Sequence, residues 1–132
     1  MSAEREPQFL TRAIVDAIHE HQIETHGGAH GVRDENGLES AINQPRNVYY
    51  YEEGDACKIA AAYAFHIAES QAYIDGNKRT GVQAAFVFLE GCGIDTSRLP
   101  EDGTYEAVIK IATREMDRRG LAEYFRRALK VE

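Results

Sequence analysis

The stretch Gln71-Ala72-Tyr73-Ile74-Asp75-Gly76-Asn77-Lys78-Arg79-Thr80 runs straight into an apolar segment ending at Leu89, and its reading decides the fold. Its first half mixes polar and aromatic residues without a period. Val82, Ala85, Phe86 and Leu89 then recur at helical spacing, so the pattern predicts a short loop feeding a helix over 77–90 that starts at Gly76 and Asn77 and ends at Gly91 or Gly93. With Phe86, Val87, Phe88 and Leu89 in succession this helix is apolar nearly all round, as expected of one surrounded by others. The opening turn of a helix carries N–H groups without intrahelical partners and the positive end of the macrodipole, so it stabilises an anion. Lys78 and Arg79 add two cations there, and a guanidinium suits bidentate phosphate contact. Asp75 offers the hard carboxylate oxygen that Mg²⁺ prefers. Asp-Gly is also a common turn dipeptide, and an asparagine can cap a helix without binding anything. What favours a phosphate site is convergence: carboxylate, glycine, amide, two cations and the Thr80 hydroxyl are consecutive.

Working outward, 132 residues suit one domain spanning 1–132, with the polar segment 1–7 expected to fray. An apolar share of 43% with 28% charged residues is that of a soluble globular chain. The formal charge of −7 argues against sequence-independent nucleic-acid binding, which needs clustered lysine and arginine. No apolar run is long enough for a membrane span and no signal-peptide pattern opens the chain, so a cytoplasmic protein with no membrane partner is expected. Cys57 and Cys92 lie in or beside apolar helical patterns, as buried free thiols would.

The first helix is expected after Thr11 as N-cap, with Ile14, Val15, Ile18 and Gln22 or Ile23 on its inner face and Gly27-Gly28 as its stop. Four histidines fall in or just beyond it: His19, His21, His26 and His30. His19 and His21 point to different faces of a helix, and no cysteine or carboxylate recurs at ligand spacing, which argues against a metal site. A glycine-rich turn over 27–36 follows, in which His30 or Arg33 could touch a substrate or Arg33 and Asp34 could simply hold the loop. Leu38, Ala41 and Ile42 mark a short second helix that Pro45 is expected to end. Residues 46–53 then read as a connection carrying Tyr49-Tyr50-Tyr51, which could meet a target or partner peptide or fill core and surface. Asp55 is placed to cap a third helix with Ile59, Ala62, Tyr63 and His66 on one stripe and an Ala60-Ala61-Ala62 run for close helix approach. Tyr105, Val108, Ile109 and Ala112 define a fifth helix, and Leu121, Tyr124, Phe125 and Leu129 a sixth. Arg114, Arg118, Arg119, Arg126 and Arg127 are expected on solvated faces. The fold class that follows is all-α, a compact bundle of about six helices around a central buried one.

Asp75-Gly76-Asn77-Lys78-Arg79-Thr80, with Tyr73 before it and an Ala-Ala-Phe-Val-Phe-Leu-Glu helix after it, resembles the signature of the Fic/Doc superfamily. Lys78 after the asparagine points to the death-on-curing branch. A second segment, Gly28-Ala29-His30-Gly31-Val32-Arg33-Asp34 with Leu38-Glu39-Ser40-Ala41 and Pro45, is similar to that branch's amino-terminal half, and the likeness extends over about 9–129. The resemblance implies transfer of a phosphate-containing group from a nucleoside triphosphate to a hydroxyl of a target protein. The Doc type moves a phosphoryl group onto a translation elongation factor; Fic relatives move AMP.

On that resemblance Asp75 would hold Mg²⁺ accompanying ATP or another nucleoside triphosphate. Gly76, Asn77 and Thr80 would bind phosphate, Lys78 and Arg79 would neutralise its charge, and Tyr73 would pack the loop into the core. The implied protein partners are a small antitoxin and a target such as a translation factor. Gln71 stands where the family motif has its general-base histidine, and a glutamine orients a hydroxyl without accepting its proton. His66, five residues earlier, is either a stand-in for that base or a buried structural histidine. Three readings stay open: a weakened or altered transferase, a nucleotide-binding pseudoenzyme and a structural interaction module.

Overall fold

The computed structural model describes residues 6–130 and is built from six helices: α1 (Arg12–His26), α2 (Glu35–Glu52), α3 (Ala56–Ser70), α4 (Asn77–Gly91), α5 (Glu101–Ala112) and α6 (Arg118–Leu129). The expected fraying of 1–7 falls, for residues 1–5, outside the described residues. Among those described, the extended pairing is a single antiparallel bridge between Val32 and Tyr73. No described helix is long and apolar enough to cross a membrane.

Two antiparallel neighbours, α3 and α4, form the centre. On α3 every residue from Ile59 to Ala64 is buried, and this helix meets α2, α4, α5 and α6. α4 packs along it and also meets α1 and α5. The contact is close because small residues face each other. A Cβ on Gly81 would lie 2.7 Å from the Ala64 carbonyl oxygen, closer than real carbon atoms approach. Phe88 and Leu89 fill the far end of α4 against Tyr63, whose hydroxyl accepts a hydrogen bond from the Leu10 amide at 2.8 Å and whose pKa burial pushes up to about 12.

Thr11, Asp34, Asp55 and Asp117 each accept a hydrogen bond from a first-turn amide of α1, α2, α3 and α6 respectively. The Thr11 and Asp55 caps are those the sequence predicts.

Several expectations change. Pro45 does not end α2, which continues for two more turns to Glu52. An interior proline costs about 3 kcal/mol through its missing donor and ring clash. Here Leu38, Ala41, Ile42, Pro45 and Val48 form one unbroken buried stripe, and packing against α3 offsets that cost. Tyr49-Tyr50-Tyr51 therefore sit on the last turns of α2. Tyr49 packs edge-on to Phe9 with centroids 5.8 Å apart, while Tyr51 is 82% exposed. The buried side of α1 is Val15, His19, Gln22 and Ile23, with Ile14 turned to solvent. On α5 it is Thr104, Ala107, Val108 and Ile111, one position round from the expected face, which turns Tyr105 out of the core. Both cysteines are free, but Cys92 lies past the end of α4 and is exposed; burial raises the Cys57 thiol to about 11. Arg118 and Arg126 are fasteners as well as surface charges: Arg118 pairs with Glu52 at 2.9 Å and Arg126 with Asp55 at 2.6 Å, tying α6 to α2 and to the head of α3.

Gly81→Ala separates two opposing effects. Alanine raises helix propensity by about 1 kcal/mol, while overpacking costs about 1–3 kcal/mol. The clashing atom is a backbone oxygen that cannot rotate away, so a net loss of stability is expected, read as a lower Tm by circular dichroism.

Candidate functional site

Position 75 sits in a loop that three elements hold. The Tyr73 ring lies flat on His19 of α1, with centroids 3.7 Å apart and planes inclined by 6°. The Tyr73 hydroxyl donates to Asp16 at 2.6 Å. Burial, then that hydrogen bond to Asp16, pushes the phenol far above its usual range, so it remains a donor. His19 Nε2 hydrogen-bonds the Asp75 carbonyl oxygen at 2.8 Å. From the other side, the Arg33 and Asp34 amides donate to the Ala72 carbonyl and the Ile74 amide to that of Gly31. Asp34 also caps α2, so the 28–34 segment is the brace of the loop.

Asn77 closes this arrangement. Its side-chain oxygen accepts from the Tyr73 amide and its nitrogen donates to the Tyr73 carbonyl, both at 2.9 Å. The sequence reading gave this side chain to an anion; the structure uses it as a clamp, which leaves the anion role to backbone. Gly76, in the left-handed region at φ 80°, is the N-cap of α4 and has no side chain to cap with. The first intrahelical bond runs from Thr80 to Gly76. The amides of Asn77, Lys78 and Arg79 therefore have no intrahelical acceptor. α4 is the one described helix with neither a capping side chain nor an acidic residue in its first turn.

This helix head opens onto a cleft of about 440 Å³. Arg33, Lys78 and Arg79 line it, against the single carboxylate of Asp75, an excess of two positive charges in a chain of formal charge −7. Neither Lys78 nor Arg79 forms an ion pair among the described residues. Arg79 is seated over the Tyr105 ring of α5, 4.3 Å from its centroid, a cation–π contact that fixes the guanidinium at the cleft wall. Asp75 Oδ2 accepts from the Ala29 amide at 2.8 Å, and its carboxylate faces the cleft. The loop passes this close because Gly28, at φ 119°, has no Cβ; one there would meet the Asp75 Cβ at 3.1 Å. Gln71 ends α3 in the left-handed region at φ 49°; its side chain is exposed in the cleft, and its carbonyl accepts from Arg33 at 3.0 Å.

The sequence-predicted residues Gln71, Asp75, Gly76, Lys78 and Arg79 are thus together, with Asn77 beside them. Thr80 is not with them. It is fully buried toward the core, and its hydroxyl has no hydrogen-bond partner among the described residues, so it cannot touch a phosphate in the cleft. The tyrosines of α2 do not line the cleft either. Tyr105, Gln22 and His26 do, and the sequence reading assigned them no part here. The position of His26 beside the glycine turn was a usable signal. Tyr105 had none, since its place depends on how α5 is rotated.

His66 is elsewhere. Half-buried on α3, it accepts a hydrogen bond from Arg118 at 3.1 Å and lines a depression against α2. Burial, then the Arg118 charge, lowers its pKa to about 4, so it is a structural acceptor. It does not stand in for a base in this cleft.

An uncapped helix head with adjacent cations on a clamped loop, set in a helical bundle, defines the class of site. The segment 9–89 matches the model of the Fic/DOC family, and the chain belongs to that family. It is 30% identical over 112 residues to Protein kinase doc of Escherichia phage P1, a span covering 84% of this chain and 87% of that protein.

Two outcomes follow. Asn77→Ala removes two part-buried hydrogen bonds worth about 0.5–1.5 kcal/mol each, so urea unfolding should show a loss on the order of 1–3 kcal/mol. His66 takes up a proton in the unfolded chain below about 6.5 but in the folded one only near 4. Stability is therefore lost as pH falls through that window, and His66→Gln should flatten this part of the Tm-against-pH curve.

Proposed function

We propose that the protein is a Doc-like, toxin-type transferase that moves a phosphate-containing group from a nucleoside triphosphate to a hydroxyl of a target protein. The observation that carries this reading is the head of α4: three amides without intrahelical acceptors, beside Lys78, Arg79 and Arg33, at a cleft of a size that takes a small ligand. The named relative is called a protein kinase, which favours phosphoryl transfer over AMP transfer. The same kinship supports a small antitoxin as binding partner; a translation factor as target follows from the Doc resemblance alone.

A Mg²⁺ ion carried with the triphosphate fits the donor set. Among the described residues no cluster of three or more histidine, cysteine or acidic side chains could hold a resident metal. Asp75 gives one carboxylate, and Mg²⁺ is commonly held by one or two carboxylates together with substrate phosphates. Bound there, it would supply charge neutralisation between phosphates. The chain's own part is positioning: the Asn77, Lys78 and Arg79 amides receive phosphate oxygens, the two side-chain cations offset their charge, and Tyr105 keeps Arg79 in register. Phosphoryl transfer proceeds through a loose transition state, so positioning and electrostatics supply most of the acceleration.

Gln71 supports a second reading, a nucleotide-binding pseudoenzyme that acts by association, because its amide accepts no proton at the place where the family resemblance implies a base. ATP labelled at the α- or the γ-phosphate, incubated with Mg²⁺ and cell lysate, separates the two. Label from the γ position on a lysate protein with both the natural chain and Gln71→His is the expected result; label from the α position would make it an AMP transferase. Transfer by Gln71→His alone would favour the pseudoenzyme. No Mg-ATP binding by either, in a titration, would overturn both.

A further inference from the structure

We infer that His26 is the proton acceptor for the target hydroxyl, taking the task that Gln71 cannot perform; this rests on the transferase reading above. The chain has five histidines, and the structure accounts for them one by one. His19 is buried, stacked on Tyr73, with Nε2 engaged by the Asp75 carbonyl. His21 hydrogen-bonds Thr25 on the outer side of α1, and His30 pairs with Glu20 at 2.7 Å; neither lines the cleft. His66 accepts from Arg118 on the α2 side of α3. His26 alone is an imidazole of the cleft wall.

Its place is set by the fold. His26 is the last residue of α1 and is exposed; Gly27, at φ 86°, turns the chain directly after it into the segment that passes Asp75. No hydrogen bond or ion pair occupies its ring among the described residues, whereas the side chains that share the cleft with it are committed or unsuited. Arg33, Lys78 and Arg79 carry donors and no acceptor. Asp75 is tied to Ala29 and is the carboxylate that would hold Mg²⁺, and Tyr105 lies under Arg79. The Gln71 and Gln22 amides do not titrate. An imidazole is the side chain whose ordinary proton exchange lies near neutral pH, which is what a general base requires.

The step balances without another reactant. The hydroxyl oxygen of the target forms a bond to the γ-phosphorus as the bond from that phosphorus to the β-phosphate oxygen breaks. ADP leaves with that electron pair. The hydroxyl proton passes to a ring nitrogen of His26 and from there to solvent, the ring being exposed.

The test uses the full chain, γ-labelled Mg-ATP and cell lysate, with Mg-ATP affinity measured separately by titration. His26→Asn is expected to lower label transfer about 10²–10⁴-fold, the usual contribution of general-base assistance, with Mg-ATP affinity unchanged. Gln71→His placed in the His26→Asn background should restore transfer, since it returns an imidazole to the same cleft. Transfer by His26→Asn at the natural rate overturns the inference. So does an inert natural chain beside an active Gln71→His variant, or a His26→Asn loss that Gln71→His does not repair although Gln71→His alone is active. If no variant binds Mg-ATP, the transferase reading itself has failed, and the inference with it.

Discussion

The site depends on Tyr73 being held from four directions. Its ring lies on His19, its hydroxyl donates to Asp16, its backbone is gripped by the Asn77 amide, and it faces Val32 across an antiparallel bridge. Three elements supply these holds, so the loop cannot shift without disturbing α1, α4 and the 28–34 segment together. Asp16 in turn shares Arg12 with Glu35 and Glu39, which links the first turns of α1 and α2. Partly exposed ion pairs of this kind are worth little singly. The fixing comes from the burial of Tyr73 and His19, and the charges set direction.

With the loop secured in this way, α4 can begin without a cap. A capping side chain is typically worth about 0.5–2 kcal/mol; α4 forgoes it where its start opens on the cleft, and unlike α5, which also lacks one, it has no acidic residue in its first turn. Stability at that helix comes from its tight seam with α3, where Gly81 meets the Ala64 backbone. The seam and the open head thus use different sides of the same end of one element: Gly81, one turn in, binds helix to helix, and the amides of the first turn stay unspent.

The loop-to-helix reading, the apolar character of α4 and most of the cleft cations were legible because they follow from local pattern, whereas the sharing of the centre with α3 was not. Partner choice was harder. Asn77 and Thr80 carry the same kinds of group as a phosphate site would use, and spacing alone does not tell that the asparagine turns back four residues to Tyr73 or that the threonine faces the core. Pro45 reads as a stop because its local cost is large, yet Val48 continues the stripe begun by Leu38, and tertiary packing overrides the local rule. The expected inner face of α5 missed by one position, since Tyr105, Val108 and Ile109 satisfy a helical period almost as well as Thr104, Ala107, Val108 and Ile111. Contacts from other helices settle it: Thr104 meets the Tyr124 hydroxyl inside, and outside the Tyr105 ring meets the guanidinium of Arg79.

That contact builds the two walls of the cleft from distant stretches of sequence. The family-matched segment, 9–89, contains the loop, the helix head and all three cations, whereas Tyr105 comes from α5, beyond it. A change in α5 can thus reshape the floor under Arg79, and with it the outline of the cleft, while the Asp75–Arg79 run stays as it is. The contour of the cleft and its charge are housed in different parts of the chain, so one can be altered without dismantling the other.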